Sequence, residues 1–130
     1  MLGFLRECPQ RTRRPKDQLV AETELAYALR DAFPVTTLHT LVIPKRHVSG
    51  YFELGRAELN ACHRFLEQEK QAIEGQDASV EGFNVGMNEG ETAGQTVFHC
   101  HLHLIPRRSG DVEDPTGGVR NVVPGKGIYR

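Results

Sequence analysis

Between Gln95 and Arg108 the chain reads QTVFHCHLHLIPRR, with histidines at positions 99, 101 and 103. Alternate residues of an extended strand project to the same face. This spacing therefore predicts three imidazoles, His99, His101 and His103, on one side of a strand from Val97 to Ile105 that Pro106 ends. Cys100, Leu102 and Leu104 fall on the other side, as suits a strand whose back packs into a core. Imidazole alone among side chains titrates near neutrality without perturbation. Three on one face fit nucleophilic or acid–base chemistry, a zinc site with imidazole ligands, or histidines that serve packing or solvation only. The spacing alone leaves all three open.

The preceding residues, 88–96, read Asn-Glu-Gly-Glu-Thr-Ala-Gly-Gln-Thr. Glycine lets a backbone approach an anion closely, and the amides of Gly94, Gln95 and Thr96 are candidates for binding phosphate oxygens. A loop of this composition by itself is an ordinary turn. Placed just before His99, with Asn88 closing the alternating run FNVGMN, it reads as a phosphate cradle beside a nucleophile.

With these features the chain resembles the histidine triad (HIT) family of nucleotide-binding hydrolases and transferases. The family pattern of three histidines alternating with apolar residues stands here as His99-Cys100-His101-Leu102-His103-Leu104-Ile105. Residues 25–47, LAYALRDAFPVTTLHTLVIPKRH, are similar to the family's N-terminal signature, and Gly94-Gln95-Thr96 to its Gly-Gln-Ser/Thr. The tail GDVEDPTGGVR is similar to that of bacterial members assigned to dinucleoside polyphosphate hydrolysis. The chain departs from the pattern at Thr37-Leu38, where relatives often carry Pro-Gly or Pro-Thr, which bears on the local loop geometry.

The resemblance implies an α+β, HIT-like fold: an antiparallel sheet with a long helix packed on one face. It also implies roles. His101 would attack the α-phosphorus of a nucleotide and form a nucleotidyl-histidine intermediate. His103 would contact phosphate oxygens or the leaving group as proton donor, His99 would orient its neighbours, and His39 would add a hydrogen bond. Asp31 would bind ribose hydroxyls, and Asn88, Gly94, Gln95, Thr96 and Val97 would surround the α-phosphate without a required metal. A divalent cation would enter only with a polyphosphate substrate. The implied substrate class is an adenosine polyphosphate such as diadenosine tetraphosphate. Adenosine phosphoramidates, or a nucleotide-binding protein without turnover, are the alternatives. Family members commonly form homodimers. Arg120 is a further candidate to reach polyphosphate from the tail, and Lys45, Arg46 and His47 read as a solvated strand end rather than a phosphate clamp.

Composition bounds the rest. At 130 residues and 38% hydrophobic content the chain fits one domain over 1–130, with a basic, partly mobile N-terminus at 1–17 and an irregular tail at 107–130. Lys plus Arg number 16 against 17 Asp plus Glu, so nothing points to nucleic acid or to an anionic membrane. Three cysteines form no paired framework, which suits reduced thiols in a cytoplasmic protein. Some HIT relatives hold zinc through an N-terminal Cys-x-x-Cys and two histidines. Cys8 is followed by Pro9, Gln10 and Arg11, so the second cysteine is missing and a structural zinc is not expected. No apolar run is long enough to span a bilayer.

The elements that must carry these residues follow from pattern. The resemblance favours a hairpin over Leu19–Val20 and Leu25–Leu29, although helix formers abound there. Thr40–Ile43 reads as a strand. Leu59, Cys62, Phe65, Leu66 and Ile73 recur at helical spacing from about Arg56 to Glu74, with Gly75 as a stop. Phe83–Met87 alternates as a strand antiparallel to the histidine strand.

Overall fold

A computed structural model describes residues 18–129. The basic segment 1–17, and with it Cys8, lies outside the described residues. Leu19–Glu22 (β1) and Ala26–Arg30 (β2) form the expected hairpin, and Thr40–Pro44 (β3) follows. A 21-residue helix, Arg56–Gln76 (α1), precedes Val80–Gly86 (β4), and Leu102–Arg108 (β5) completes the regular elements. The strands form one antiparallel sheet in the order β1-β2-β3-β5-β4. The chain order thus places β5, which ends the histidine run, between β3 and β4 rather than at an edge.

Helix α1 presents Glu58, Cys62, Phe65, Glu69 and Ile73 to the sheet, a stripe at three- and four-residue spacing. Cys62 and Phe65 pack on Ala26, Ala28, Val42 and Leu102, and Ile73 packs on Val80 and Leu104. Burying a side chain such as Ile73 or Phe65 contributes about 1.5–3 kcal/mol each. The two buried carboxylates in this stripe are paired. Glu69 accepts from the Arg30 guanidinium at 2.8 Å, tying helix to sheet, and Glu58 accepts from Arg46 and from the Gly55 N–H that opens the helix. Gly75 does not stop the helix, which runs on to Gln76 and ends where the Asp77 N–H meets the Ile73 carbonyl.

The opposite face of the sheet carries Tyr27, Leu29, Leu41 and Ile43. His103 stands opposite Leu41 in the β3–β5 register, so its ring projects to this helix-free face. Two sequence expectations need correction here. Pro106 lies inside β5 rather than ending it, because β3 has stopped pairing at Leu104 and the missing proline N–H faces no partner strand. The strand also begins at Leu102, not Val97, and runs to Arg108, so the first two residues of the tail expected from 107 belong to β5. Among the described residues no helix is long and apolar enough to cross a membrane.

Candidate active site

A cleft of about 510 Å³ opens on the helix-free face. Leu29 and Leu41 from the sheet, and Asp31 and Phe33 from the loop after β2, form one side; Asn88, Gly94, Gln95, Thr96, Val97, His101 and His103 form the other. Eight residues singled out from the sequence therefore meet at one opening. His39 and His99 do not line it; His39 stands behind His103, its Nε2 2.9 Å from His103 Nδ1.

His101 and His103 differ in how their rings are held. The Nδ1 of His101 lies 2.8 Å from the carbonyl oxygen of His99. A carbonyl only accepts, so Nδ1 carries the proton and Nε2 keeps its lone pair. In His39, Nδ1 accepts the Val35 N–H at 3.1 Å, which places the proton on Nε2. That Nε2–H donates to His103 Nδ1 at 2.9 Å, leaving His103 with a proton on Nε2. The result is a lone pair on His101 next to a neutral N–H donor on His103, with ring centroids 5.3 Å apart. Burial, then the neighbouring His101 and His39, hold the His103 ring down at about 4. Burial also lowers His39, against the opposing pull of Asp31.

His99 departs from the shared face that the spacing predicts for the three imidazoles. Its ring is fully buried, with Nε2–H donating to the Pro44 carbonyl at 2.7 Å and Nδ1 paired to His47 Nδ1 at 2.9 Å. The alternation fails because residues 99–101 are not in a ladder: the Cys100 N–H bonds the Val48 carbonyl at 2.7 Å instead of a neighbouring strand. His99 acts through its backbone, whose carbonyl sets the tautomer of His101. His47, read from the sequence as solvated, is half-buried against His99. Its own neighbours give no periodic signal, so only the fold reveals the pairing. Lys45 and Arg46 do face outward, to Glu22 and Glu58.

The loop from Asn88 to Val97 also differs from expectation in detail. The Gly94 and Gln95 amides are committed to the Glu91 and Gly90 carbonyls, so of the Gly94–Val97 amides those of Thr96 and Val97 are the two without a bonded partner among the described residues. The Gln95 side chain is buried at the cleft wall, with its polar atoms spent on protein partners. Its Oε1 accepts the Gly90 N–H at 2.8 Å, and its Nε2 donates to the Ser49 and Val97 carbonyls. Glu89 accepts the Tyr51 N–H at 2.8 Å, a second clamp onto the same neighbouring segment. Gly94 adopts φ +97, a conformation that side chains resist.

Asp31 accepts the Phe33 N–H through Oδ1, and its Oδ2 lies 3.6 Å from His39 Nε2, so the carboxylate rests half-buried at the cleft wall. Asp31, His39 and His103 bring three metal-type ligand atoms within 4.8 Å of one another. They do not fit a metal: the His39 atom that would ligate is Nε2, which the Val35 contact at Nδ1 keeps protonated. Arg120 does not reach the cleft. Its guanidinium donates to the Gly127 and Lys126 carbonyls and lies 4.6 Å from the Tyr129 ring centroid. Leu38, where the family pattern has glycine or threonine, takes φ +74.

A helix-backed antiparallel sheet thus brings an imidazole lone pair, a neighbouring imidazole donor and a glycine loop together at one cleft. The chain belongs to the HIT family: the HIT domain model matches residues 12–110. It is 41% identical over 88 residues to an uncharacterized HIT-like protein of Mycoplasma pneumoniae, covering 68% of this chain and 60% of that protein. To the asymmetrical bis(5'-nucleosyl)-tetraphosphatase of Schizosaccharomyces pombe it is 35% identical over 97 residues, 75% of this chain and 53% of that one. The crystal structure of a HIT family protein from Bacillus anthracis superposes with a TM-score of 0.68 at 42% identity, covering 72% of this chain and 66% of that chain. The chain thus spans between half and two thirds of these relatives.

Proposed function

We propose that this chain is a nucleotide hydrolase or nucleotidyltransferase that cleaves adenosine polyphosphates at the α-phosphorus through His101. The observation that carries this reading is the tautomer of His101: Nδ1–H is held by the His99 carbonyl, so Nε2 offers its lone pair into the cleft. In the first step Nε2 bonds to the α-phosphorus, the phosphorus–oxygen bond to the leaving group breaks, and the electron pair departs on that oxygen. His103 meets that oxygen or its neighbours with its Nε2–H. Water then adds to phosphorus and gives up a proton to solvent, the nitrogen–phosphorus bond breaks with its electron pair returning to Nε2, and AMP is released with His101 regenerated. The Thr96 and Val97 amides receive the phosphoryl oxygens, and Asp31 takes the ribose hydroxyls. A metal is not required, and a divalent cation enters only as company for the polyphosphate.

The name of the Schizosaccharomyces pombe relative supports dinucleoside tetraphosphates, diadenosine tetraphosphate among them, over adenosine phosphoramidates as the substrate class. A homodimer is the assembly that the family resemblance implies. The test is AMP release from diadenosine polyphosphates and AMP amides in excess chelator. Wild type releases AMP, and His101→Ala loses activity by a factor on the order of 10³ or more while its melting temperature is retained. The better leaving group decides between the two substrate classes. Nucleotide binding without AMP release by wild type would leave only the non-catalytic reading.

A further inference from the structure

A second cleft, of about 350 Å³, lies on the other side of His103. His103 and Asn88 border both clefts, whereas His101 borders only the first and His39 only the second. The walls of the second cleft are apolar side chains left open: Val35, Val119 and Val122 are 67%, 61% and 76% exposed. Between them stands Asn84 of β4, whose Oδ1 accepts the Arg107 guanidinium at 2.7 Å. That bond orients the amide so that Nδ2, a donor without a partner among the described residues, faces the tail near Gly118.

The tail wall is built rather than loose. Gly117 and Gly118 take φ +91 and +49, and a Cβ on Gly117 would overlap the Gly127 backbone, so the turn closes tightly on the end of the tail. Arg120 staples that turn from within through the Gly127 and Lys126 carbonyls. Val119 and Val122, carried by the short helical turn Gly118–Val122, are thereby held over the cleft.

Displacement at phosphorus places the leaving oxygen roughly opposite the attacking atom. The rings follow one another in the order His101, His103, His39, with centroids 5.3 and 5.1 Å apart, so His103, which both clefts share, stands between the attacking ring and the second cleft and can hand a departing group on to it. A pair of apolar faces with one amide donor at the edge suits a planar heteroaromatic ring. Resting on the function proposed above, we infer that this cleft seats the distal nucleoside of a dinucleoside polyphosphate. The base lies against Val119 and Val122 and its edge meets Asn84, so the tail discriminates among leaving groups.

The test compares wild type with the double variant Val119→Ser, Val122→Ser on diadenosine tetraphosphate and on adenosine 5'-tetraphosphate, which shares the phosphate chain but lacks the distal nucleoside. Both substitutions are at exposed positions, and turnover of adenosine tetraphosphate reports an intact fold and first cleft. Expected is a fall of at least tenfold in kcat/KM for diadenosine tetraphosphate and a change of less than twofold for adenosine tetraphosphate. Equal losses on both substrates, or no loss on either, would overturn the inference. Should wild type release AMP from neither substrate, the function proposed above fails. The cleft is then read by calorimetric titration of the same two compounds, and a double variant that binds diadenosine tetraphosphate as tightly as wild type overturns it.

Discussion

His103 is a donor because of a chain of contacts that begins at a backbone amide: Val35 N–H fixes His39, and His39 fixes His103. Its neutral form persists in the folded protein down to about 4, below the ordinary imidazole value, because burial and two imidazole neighbours oppose a charge. The unfolded chain takes up that proton near pH 6.5, so stability is complete above 6.5 and declines as pH falls toward 4, where the folded ring titrates as well. Discounted for partial solvent access, the loss is about 2 kcal/mol. Urea unfolding at pH 7 and 4.5 measures it, and His103→Asn flattens the difference. Leu38 raises a separate question of strain. Its φ of +74 costs about 1 kcal/mol or more, yet its side chain packs on the cluster of Ile73, Val80 and Leu104. The two effects oppose, so Leu38→Gly shifts unfolding free energy by less than about 1 kcal/mol. Ile73→Ala, at a fully buried position with no strain to relieve, lowers it by about 2–5 kcal/mol.

Among the elements, the loop 88–97 depends on clamps from outside itself. Gln95 holds it to Ser49 and closes it on Gly90, while Glu89 holds it to Tyr51. Gln95→Leu leaves the Gly90 N–H and the Ser49 carbonyl without these bonds, a cost of about 2–3 kcal/mol. Because the Thr96 and Val97 amides then lose their fixed aim, kcat falls more than KM rises, as steady-state kinetics on diadenosine tetraphosphate would read. A purely structural Gln95 would change the urea midpoint and leave kcat intact. The elements themselves were largely legible. The helical stripe of α1 survives folding because one buried face imposes a period on its residues, whereas β4 forms with Val80 alone buried and Val85 exposed, so its pairing with β5 and not a buried face holds it. Their ends were less legible: Gly75 is tolerated in the last turn, and the start of β5 depends on where Val48 captures the Cys100 amide.

For the molecule as a whole, the assembly prediction is a homodimer, and sedimentation at micromolar concentration should give twice the chain mass; the monomer mass alone would end it. The sequence by itself determined the fold class, the helix and its buried stripe, and the residues of the cleft from Asp31 to His103. It could do so because residue type and period are local properties, and the family pattern is written in them. The tertiary structure decided what each histidine is for. One spacing, His-x-His-x-His, holds a buried ring, an exposed lone pair and a neutral donor. The difference comes from Pro44, His47, His39 and Val35, residues distant in sequence that supply or withhold a hydrogen bond. Proton position follows from such partners, and no local pattern contains them.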